Sequence, residues 1–283
     1  MLSFLSVIWN PDPELLSWGP IHIRYYGLSF VLAFIASGYV FRYVFKREKV
    51  PMPLLEKLTI YIAIGMFIGA RFGHCLFYDP SYFLTHPLEI ILPMKFYPEF
   101  QFIGFQGLAS HGAAIGIVTA IWFWCRKCKK NYLWLLDRIG IVAALSGTMI
   151  RLGNLMNSEI YGGETTLPWG FIFVRAGETL PHHPTQIYEA LSYFAIFCLL
   201  FFLYRKKSHK MHRGFLFGLF LILLFSARFF IEFIKNTQVD FEHGMLLNMG
   251  QLLSLPFIIT GIFLLWRSFY RKENFFQQII THK

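Results

Sequence analysis

MIRLGNLMNSEIYGG, residues 149–163, closes an apolar run that begins near Leu133 and is otherwise typical of a membrane span. Its polar side chains stand where lipid would be expected: Arg151, Asn154, Asn157 and Glu159. Ionisable groups at membrane depth are costly unless they face the interior of a helix bundle, pair with one another or line a watery cavity. The stretch therefore predicts a helix in a membrane bundle, with a polar site on its inward face.

The composition of the whole chain is that of an integral membrane protein. Of its 283 residues, 55% are hydrophobic and 15% are charged, and the mean hydropathy is +0.49. Stretches near the ~20 apolar residues that cross a bilayer as a helix occur at 21–45, 56–78, 104–125, 134–157, 188–204, 214–235 and 248–268. We therefore predict an all-α polytopic membrane protein with about seven transmembrane helices in one bundle, forming a single domain over residues 1–283.

Basic residues cluster after every second predicted span and indicate the topology. Lys and Arg are retained on the cytoplasmic side of short loops, and the clusters lie at 46–49, 126–130, 205–213 and 267–272. This alternation predicts an N-terminus outside, a cytoplasmic C-terminus, and two long extracytoplasmic connections over residues 79–103 and 158–187. The net charge of +10 then reflects topology and anionic lipid. No nucleic-acid partner is expected, because basic residues are not interleaved with stacking aromatics on a soluble face.

The N-terminal residues and the cysteines indicate neither a secretion signal nor a metal site. Residues 1–20 lack a basic n-region and a small-residue cleavage site, so no signal peptide is expected. CRKC at residues 125–128 has the spacing of zinc ligands, but no second pair of ligands accompanies it. We therefore expect free thiols and no bound metal.

Further polar residues recur at helical spacing within the predicted spans. The fourth span carries one stripe of such positions, at Gly147, Arg151, Asn154 and Ser158. The sixth span, in the run SARFFIEFIK, carries three charges on one face, at Arg228, Glu232 and Lys235. The alternative interpretations are an internal helix ion pair of Arg228 with Glu232 and a Lys235 that snorkels to the interface.

Three other segments bring polar groups to the same depth. Tyr26 lies in RYYGLS, where an ordinary aromatic belt is the alternative, and His111 lies in SHGAAIGI, where a hydrogen-bonded structural histidine is the alternative. HHPTQIYEA opens the fifth span. Two arginines in an apolar setting suit a phosphate, which guanidinium groups bind bidentately, and a histidine beside a carboxylate can move a proton. These residues predict an outward-facing site for an anionic head group whose acyl tails stay in lipid.

The motifs together resemble the prolipoprotein diacylglyceryl transferase family of bacterial inner membranes. The family's signature, GRxGNFxNxExxG, is met in order and at the expected spacing by Arg151, Gly153, Asn154, Asn157, Glu159 and Gly162. The resemblance continues in IHIRYYGL at 21–28, GARFGHCLFY at 69–78, SHGAAIGI at 110–117, HPTQIYE at 183–189, ARFFIEFIK at 227–235 and MGQLLSLP at 249–256. The chain departs from the family pattern at Ala113, Ile150 and Lys235, where the family has glycine, glycine and arginine.

The resemblance implies an activity and assigns residues to it. The family transfers the sn-1,2-diacylglyceryl group of phosphatidylglycerol to the lipobox cysteine of a prolipoprotein, forming a thioether and releasing glycerol phosphate without a cofactor or metal. Its site opens to the extracytoplasmic side of the inner membrane. The residues that match its catalytic positions are Tyr26, His111, Arg151 and Arg228. Those that match its positions for binding or supporting the head group, besides the two arginines, are Asn154, Asn157, Glu159, Gly162 and Glu232.

The chemistry of these residues fits the reaction but does not decide which group deprotonates the thiol. Arg151 and Arg228 would stabilise the negative charge that develops on the leaving phosphate, and we hypothesise that Glu159 and Glu232 hold the arginines in place. The attacking thiol, with a free pKa of about 8.5, must become a thiolate. Either His111 accepts its proton or the arginines lower its pKa.

The alternative function is a lipid or small-anion transporter with an outward-facing arginine site. A transporter predicts polar residues that continue through the cytoplasmic halves of the spans, or helices broken near the midplane. The cytoplasmic halves are instead nearly all Phe, Leu, Ile and Val. The sequence therefore favours the transferase.

Overall fold

The computed structural model of the chain is built mainly from long α-helices. It describes residues 6–18, 21–77, 80–91, 94–95, 101–102, 109–207, 211–236 and 246–270. The helices are α1 (Tyr25–Arg47), α2 (Met52–Phe77), α3 (Pro80–Thr85), α4 (Leu88–Ile91), α5 (Ser110–Lys127), α6 (Tyr132–Met156), α7 (Thr185–Lys207), α8 (Phe215–Ile231) and α9 (Met249–Tyr270). The strands are β1 (Val7–Trp9), β2 (Glu14–Trp18), β3 (Ile21–Arg24), β4 (Met94–Lys95), β5 (Gln101–Phe102) and β6 (Phe171–Phe173).

The chain is a multi-pass membrane protein. Within the described ranges, six helices are long and apolar enough to cross a bilayer: α1, α2, α6, α7, α9, and α8 together with the 3₁₀ turn that follows it. α5 lies where the third of the predicted spans was expected, but its 18 residues begin with Ser110 and His111 and end with Arg126 and Lys127. Residues 104–108, predicted to start that span, lie outside the described residues. The count of seven spans therefore stays a prediction.

Short strands occur in the connections, where none was predicted. Residues 21–24 were expected to open the first span, but they form β3 antiparallel to β2, and the helix begins at Tyr25. β1 pairs in parallel with β6, which lies in the second long connection, and β4 pairs with β5 in the first. Runs of two to five residues are too short to produce a clear period-2 pattern in a sequence.

Two compact units divide the chain. The first unit consists of Met1–Phe41 and Leu136–Lys283, and the second of Arg42–Leu135. The boundaries fall inside α1 and α6, so each of these helices contributes residues to both units. The single domain over residues 1–283 stays a prediction.

The second unit is held together by close packing of α2 on α5. A Cβ atom on Gly65 would lie 2.6 Å from the carbonyl oxygen of Gly116, and one on Gly73 would lie 2.6 Å from the Cα of Gly112. Transmembrane helices associate through such small residues, because the helix backbones can then approach closely in a lipid that gives no hydrophobic driving force. This packing is the arrangement expected of a helix pair within a bilayer.

The first unit is arranged around α6. A Cβ atom on Gly153 would lie 3.1 Å from Cδ2 of Tyr26 on α1, and one on Gly147 would lie 2.9 Å from Cδ2 of Tyr193 on α7. α6 is also the span with the largest buried share. The signature at the end of α6 is therefore enclosed by α1 and α7 rather than by lipid.

A buried carboxylate joins α6 to α8 at the end of α6 that is opposite to the signature. Asp137 accepts hydrogen bonds from the backbone N–H groups of Gly214, at 2.8 Å, and Phe217, at 2.9 Å. It thereby caps the start of α8, whose N-terminal N–H groups have no partner within the helix. α8 in turn packs on α9, where a Cβ atom on Gly218 would lie 2.9 Å from the carbonyl oxygen of Gly261.

Candidate functional site

Most of the predicted site residues belong to one end of the first unit. There α1, α7 and α9 begin and α6 and α8 end. This end carries Tyr26, Arg151, Asn154, Asn157, Glu159, Gly162, Arg228 and Glu232. His111 is exposed on the first turn of α5 and belongs to the second unit, so its place at the site stays a prediction.

Arg151 is anchored by a carboxylate of α7. Its Nε lies 2.9 Å from Oε2 of Glu189, whose side chain is fully buried. The contact is a close charge pair and not an aligned hydrogen bond, since Oε2 has no hydrogen-bond partner of good geometry in the described structure. Nη1 donates to Oδ1 of Asn154 at 3.5 Å, a long hydrogen bond. Tyr193 also interacts with the guanidinium. Arg151 is therefore held by Glu189, Asn154 and Tyr193 together.

Asn154 links Arg151 to Glu159. Its Nδ2 donates to Oε1 of Glu159 at 2.7 Å, and Nδ2 of Asn157 donates to the same oxygen at 3.4 Å. An amide that accepts from a guanidinium and donates to a carboxylate has its orientation set by the charges on its two sides. The structure thus connects Glu159 to Arg151 through Asn154, where the sequence suggested a direct contact.

Two residues that flank Glu159 have left-handed backbone conformations. φ is 54° at Ser158 and 61° at Ile160, and the second value is unusual for a β-branched residue. Strain of this kind costs about 1–3 kcal/mol and persists only where neighbours over-determine the conformation. Here α7 does so, since Gln186 Nε2 donates to the carbonyl of Glu159 at 2.8 Å and Thr185 Oγ1 donates to that of Ile160 at 2.9 Å. The turn is therefore fixed with the Glu159 carboxylate facing Asn154.

The end of α8 tightens into a 3₁₀ turn over Glu232–Ile234, and this changes the predicted charge pairing. Side chains three residues apart eclipse in a 3₁₀ helix, so Lys235 faces Glu232, with Nζ 3.5 Å from Oε2. The same Nζ lies 3.1 Å from Oε1 of Glu189, and the Lys235 side chain is 1% exposed. Lys235 therefore does not snorkel. In the described part of the chain Glu232 pairs with Lys235 and not with Arg228, contrary to the internal-pair interpretation. Glu232 also interacts electrostatically with Arg151, and the hypothesis that it holds an arginine stays a prediction.

The Glu232 carboxylate also lies against the first turn of α9. A Cβ atom on Gly250 would come 2.6 Å from its Oε1. Asn248 and Gln251 form a capping box at this turn, in which each side chain accepts the other's backbone N–H, at 3.0 and 2.9 Å. Nδ2 of Asn248 donates to the carbonyl of Glu232 at 3.3 Å. The partial positive charge of the helix N-terminus favours the anion at this position.

Arg228 and Tyr26 complete the arrangement. Arg228 is half-buried, and Tyr193 interacts electrostatically with both Arg228 and Arg151. Among the described residues, no ion pair or hydrogen bond engages the guanidinium of Arg228. Tyr26 is half-buried and interacts with Arg151, Glu159 and Asn154. The two guanidinium groups thus share one neighbour, Tyr193, and two such groups together suit a phosphate.

Gly162, the last signature residue, lies where three segments meet. Its N–H donates to the carbonyl of His183 at 2.8 Å, and it forms an antiparallel bridge with Lys235. A Cβ atom here would lie 2.8 Å from both the Cβ of His183 and Cγ2 of Thr185. Gly162 therefore contributes close packing, which places Lys235, and not a functional group.

Replacing Gly162 with alanine is expected to lower the free energy of unfolding by about 1–3 kcal/mol, the usual cost of over-packing. Thermal unfolding of the detergent-solubilised protein measures the change. Gly163→Ala is the matched control, because the nearest atom to a Cβ there is Oδ1 of Asn236 at 3.5 Å, an ordinary contact. Equal unfolding temperatures for the two variants would contradict this account of Gly162.

A hydrogen-bonded cluster outside the spans supports Gly162. The Tyr161 hydroxyl donates to Oε1 of Glu178 at 2.6 Å, Nε2 of His182 lies 3.0 Å from Oε2 of Glu178, and Nδ1 of His182 lies 2.9 Å from the carbonyl oxygen of Gly162. Burial, together with the hydrogen bond and the charge of Glu178, raises the pKa of Tyr161 to about 12. Tyr161 therefore stays a protonated donor at neutral pH, and the second long connection is tied to the signature.

Three residues of this arrangement were not among the predicted site residues: Glu189, Lys235 and Asn248. The sequence could have indicated Glu189 as a site residue, since a carboxylate in the first turns of a membrane span requires a cation beside it. A signal for Asn248 also exists, since N-x-x-Q before an apolar run is a capping pattern. The helical period placed Lys235 on the face of Glu232 and Arg228 but did not decide which of the two cations Glu232 contacts.

The described residues contain no group of three or more His, Cys, Asp or Glu side chains that could hold a metal ion. The cysteines, including those of the CRKC segment, are free thiols at Cys75, Cys125, Cys128 and Cys198. The expectation of free thiols is confirmed.

Comparison with known proteins agrees with the resemblance of the motifs. A profile of the family described as prolipoprotein diacylglyceryl transferase matches residues 13–267. Three relatives are named phosphatidylglycerol–prolipoprotein diacylglyceryl transferase. That of Bacteroides fragilis is 48% identical over 95% of this chain and 97% of the relative. That of Tolumonas auensis is 46% identical over 95% and 100%, and that of Chloroherpeton thalassium is 44% identical over 93% and 94%. These names describe a transferase and give no support to the transporter alternative.

Proposed function

Because the chain belongs to the prolipoprotein diacylglyceryl transferase family, we propose that it transfers the sn-1,2-diacylglyceryl group of phosphatidylglycerol to the lipobox cysteine of a prolipoprotein. The products are a thioether-linked lipid and glycerol phosphate. The observation on which this proposal rests is that Arg151 and Arg228 lie at the same end of the first unit and interact with the same tyrosine, Tyr193.

The surroundings of these arginines suit a lipid. Phe230 and Phe233, which flank Arg228 and Glu232 in the sequence, are 68% and 61% exposed. Exposed aromatic side chains at this level of a membrane helix contact acyl chains or the interface. A phosphate placed at the arginines would therefore have apolar surface beside it for the acyl tails of the same molecule.

The reaction is a displacement at carbon 3 of the diacylglyceryl group. The cysteine sulfur forms the new C–S bond, the C–O bond to the phosphate breaks, and its electron pair leaves with the phosphate. The thiol proton passes to a base or to water. The phosphate changes from a singly charged diester to a doubly charged monoester. Because its negative charge grows as the bond breaks, Arg151 and Arg228 bind the transition state more strongly than the lipid, which is the condition for raising kcat.

Other residues have supporting roles in this scheme. Asn154 and Glu159 restrain the Nη1 side of Arg151. Tyr26, whose phenol interacts with Asn154 and Glu159, supplies a further donor for the head group. Glu232 acts through Lys235, and Gly162 acts through packing.

We propose seven spans, with α5 as the third, an N-terminus outside, a cytoplasmic C-terminus, and a site that opens to the extracytoplasmic side of the bacterial inner membrane. The glycine packing of α5 on α2 supports α5 as a span. Basic residues in the last turns of α1 and α5, at Lys46, Arg47, Arg126 and Lys127, support the orientation.

His111→Gln tests the proposed base. If His111 accepts the thiol proton, kcat/KM at neutral pH should fall by about 10²-fold or more, the usual contribution of general-base catalysis. Initial rates of thioether formation across pH 6–9 measure the effect, and His86→Gln in the same unit is the control for a lost imidazole. A His111→Gln variant with most of the wild-type rate and the same pH profile would remove His111 and leave a thiol activated by the arginines.

The function itself is tested with purified protein, phosphatidylglycerol vesicles and a lipobox peptide. The peptide should gain the mass of one diacylglyceryl group for each glycerol phosphate released, and vesicles of phosphatidylethanolamine or phosphatidylcholine should give far less product. Folded protein that yields neither product would refute the transferase. Movement of unmodified phosphatidylglycerol between leaflets would instead favour the transporter.

A further inference from the structure

The Glu189 carboxylate is the point where three elements of the site are joined. It lies in α7, its side chain is fully buried, and its two oxygens contact cations from different helices. Oε2 lies 2.9 Å from Nε of Arg151 on α6, and Oε1 lies 3.1 Å from Nζ of Lys235 beyond the end of α8. We propose that Glu189 is a positioning residue, which aims the guanidinium of Arg151 at the phosphate of the lipid. This inference rests on the proposed function.

The positioning role of Glu189 follows from which edge of the Arg151 guanidinium its carboxylate occupies. A guanidinium is planar and rigid, so a carboxylate beside Nε occupies one edge of the group and leaves the terminal edge, between Nη1 and Nη2, to face another anion. Asn154 accepts a long hydrogen bond from Nη1, at 3.5 Å, and Tyr193 also interacts with the guanidinium. The terminal edge is also the edge that binds two phosphate oxygens at once. Without Glu189, the Arg151 guanidinium would keep its charge, but its terminal edge would no longer be held facing the phosphate.

Lys235 serves this arrangement and is not itself a ligand for the phosphate. Its ammonium is shared between Glu189 and Glu232, at 3.1 and 3.5 Å, and its side chain is 1% exposed. Its backbone is bridged to Gly162, so its position follows from the packing of the signature glycine. Lys235 therefore holds Oε1 of Glu189 and keeps the carboxylate from turning away from Arg151.

A purely structural role would have a different signature. Buried carboxylates with charged partners often matter only for stability, because removing one partner leaves the other uncompensated. Loss of stability lowers the amount of folded protein but leaves the affinity of each folded molecule unchanged. A misoriented Arg151 guanidinium lowers the affinity for the phosphate itself. A binding measurement on folded protein therefore distinguishes a positioning role of Glu189 from a purely structural one.

The test measures the Kd of dihexanoyl phosphatidylglycerol by calorimetry, on folded protein in detergent, for wild type and Glu189→Gln. A misdirected Arg151 would lose a hydrogen bond to the charged phosphate, which corresponds to about tenfold or more in affinity, so Kd should rise by at least that factor in the variant. Asp137→Asn is the matched control for a lost buried carboxylate, because Asp137 lies on the same helix about 21 Å from Arg151. It should lower the unfolding temperature and leave Kd unchanged.

A double variant, Glu189→Gln with Lys235→Met, separates the orientation of the Arg151 guanidinium from the charge balance of the cluster. It removes one negative and one positive group together and leaves Arg151 and Glu232, which interact electrostatically. Part of the lost stability should therefore return while Kd stays weak. A wild-type Kd in either the single or the double variant would overturn the proposal. If Glu189→Gln does not fold, Glu189→Asp replaces it. The shorter carboxylate cannot contact both Arg151 and Lys235, so Kd should still rise. An unchanged Kd would refute the positioning role of Glu189.

The same measurements distinguish this inference from the proposed function. Wild-type protein that binds dihexanoyl phosphatidylglycerol but forms no thioether would refute the transferase, and the Kd comparison would still decide the role of Glu189. Wild-type protein that transfers lipid while Glu189→Gln binds equally well would refute the positioning role alone. Wild-type protein that does not bind the lipid would overturn both.

Discussion

Arg151→Gln is expected to lower kcat/KM by about 10²–10³-fold, the range for removing one donor to a developing negative charge. The side chain of glutamine retains an amide donor but has neither the charge nor the fork of two terminal N–H groups. Initial rates of thioether formation, normalised to folded protein, measure the loss. Arg151→Lys should also fall by at least about tenfold, because one ammonium cannot contact Glu189 and present two donors to a phosphate at the same time.

Arg151→Gln is also expected to destabilise the first unit, because Glu189 then keeps only Lys235 as its cation. Removing one partner of a buried ion pair costs about 3–5 kcal/mol, and the remaining Lys235 should reduce that cost. Arg175→Gln is the control, because Arg175 is an exposed arginine whose nearest carboxylate, that of Asp12, lies 3.5 Å away. Turnover of Arg151→Gln within a few-fold of wild type would contradict the role of Arg151 at the phosphate.

Arg228→Ala is expected to reduce kcat/KM by about 10²–10³-fold as well, but with little loss of stability. The reason for the difference is that no described residue forms an ion pair or hydrogen bond with the Arg228 guanidinium, so its removal leaves no charge uncompensated. Turnover and thermal unfolding, measured on the same preparation, show whether the two effects separate.

The comparison of the two arginines is therefore informative beyond either variant. The Arg151→Gln variant should lose both activity and stability, whereas the Arg228→Ala variant should lose activity alone. A large drop in unfolding temperature for Arg228→Ala would mean that Arg228 has a structural partner. An active Arg228→Ala would leave Arg151 as the sole cation at the phosphate.

Much of the candidate site could be predicted from the sequence, because its residues are close together in the chain. The spacing of Arg151 and Asn154 placed both on one face at the end of a helix, and the structure links them to Glu159, which lies just beyond that helix. The cost of burying charge in a membrane predicted that such residues face inward, and Glu189 is indeed fully buried beside Arg151. The family also followed from this one stretch together with the shorter motifs.

The rest depended on local geometry and on contacts between distant segments. Lys235 and Arg228 are three and four residues from Glu232, and both spacings allow a pair on one helix face. The 3₁₀ turn after α8 selects Lys235. The contact of Glu189 with Arg151 joins helices that are separated by a long connection, and no periodicity within either helix predicts it. The strand at 21–24 was mistaken for the start of a span, since its pairing with β2 is set by a neighbouring segment.

The most direct test of the account is a structure of the protein determined with phosphatidylglycerol in a lipid nanodisc. We expect a phosphate whose oxygens lie within about 3 Å of the terminal nitrogens of Arg151 and within reach of Arg228, with Nε of Arg151 still in contact with Glu189. A head group bound elsewhere, with Arg151 and Arg228 free of any phosphate, would contradict the account.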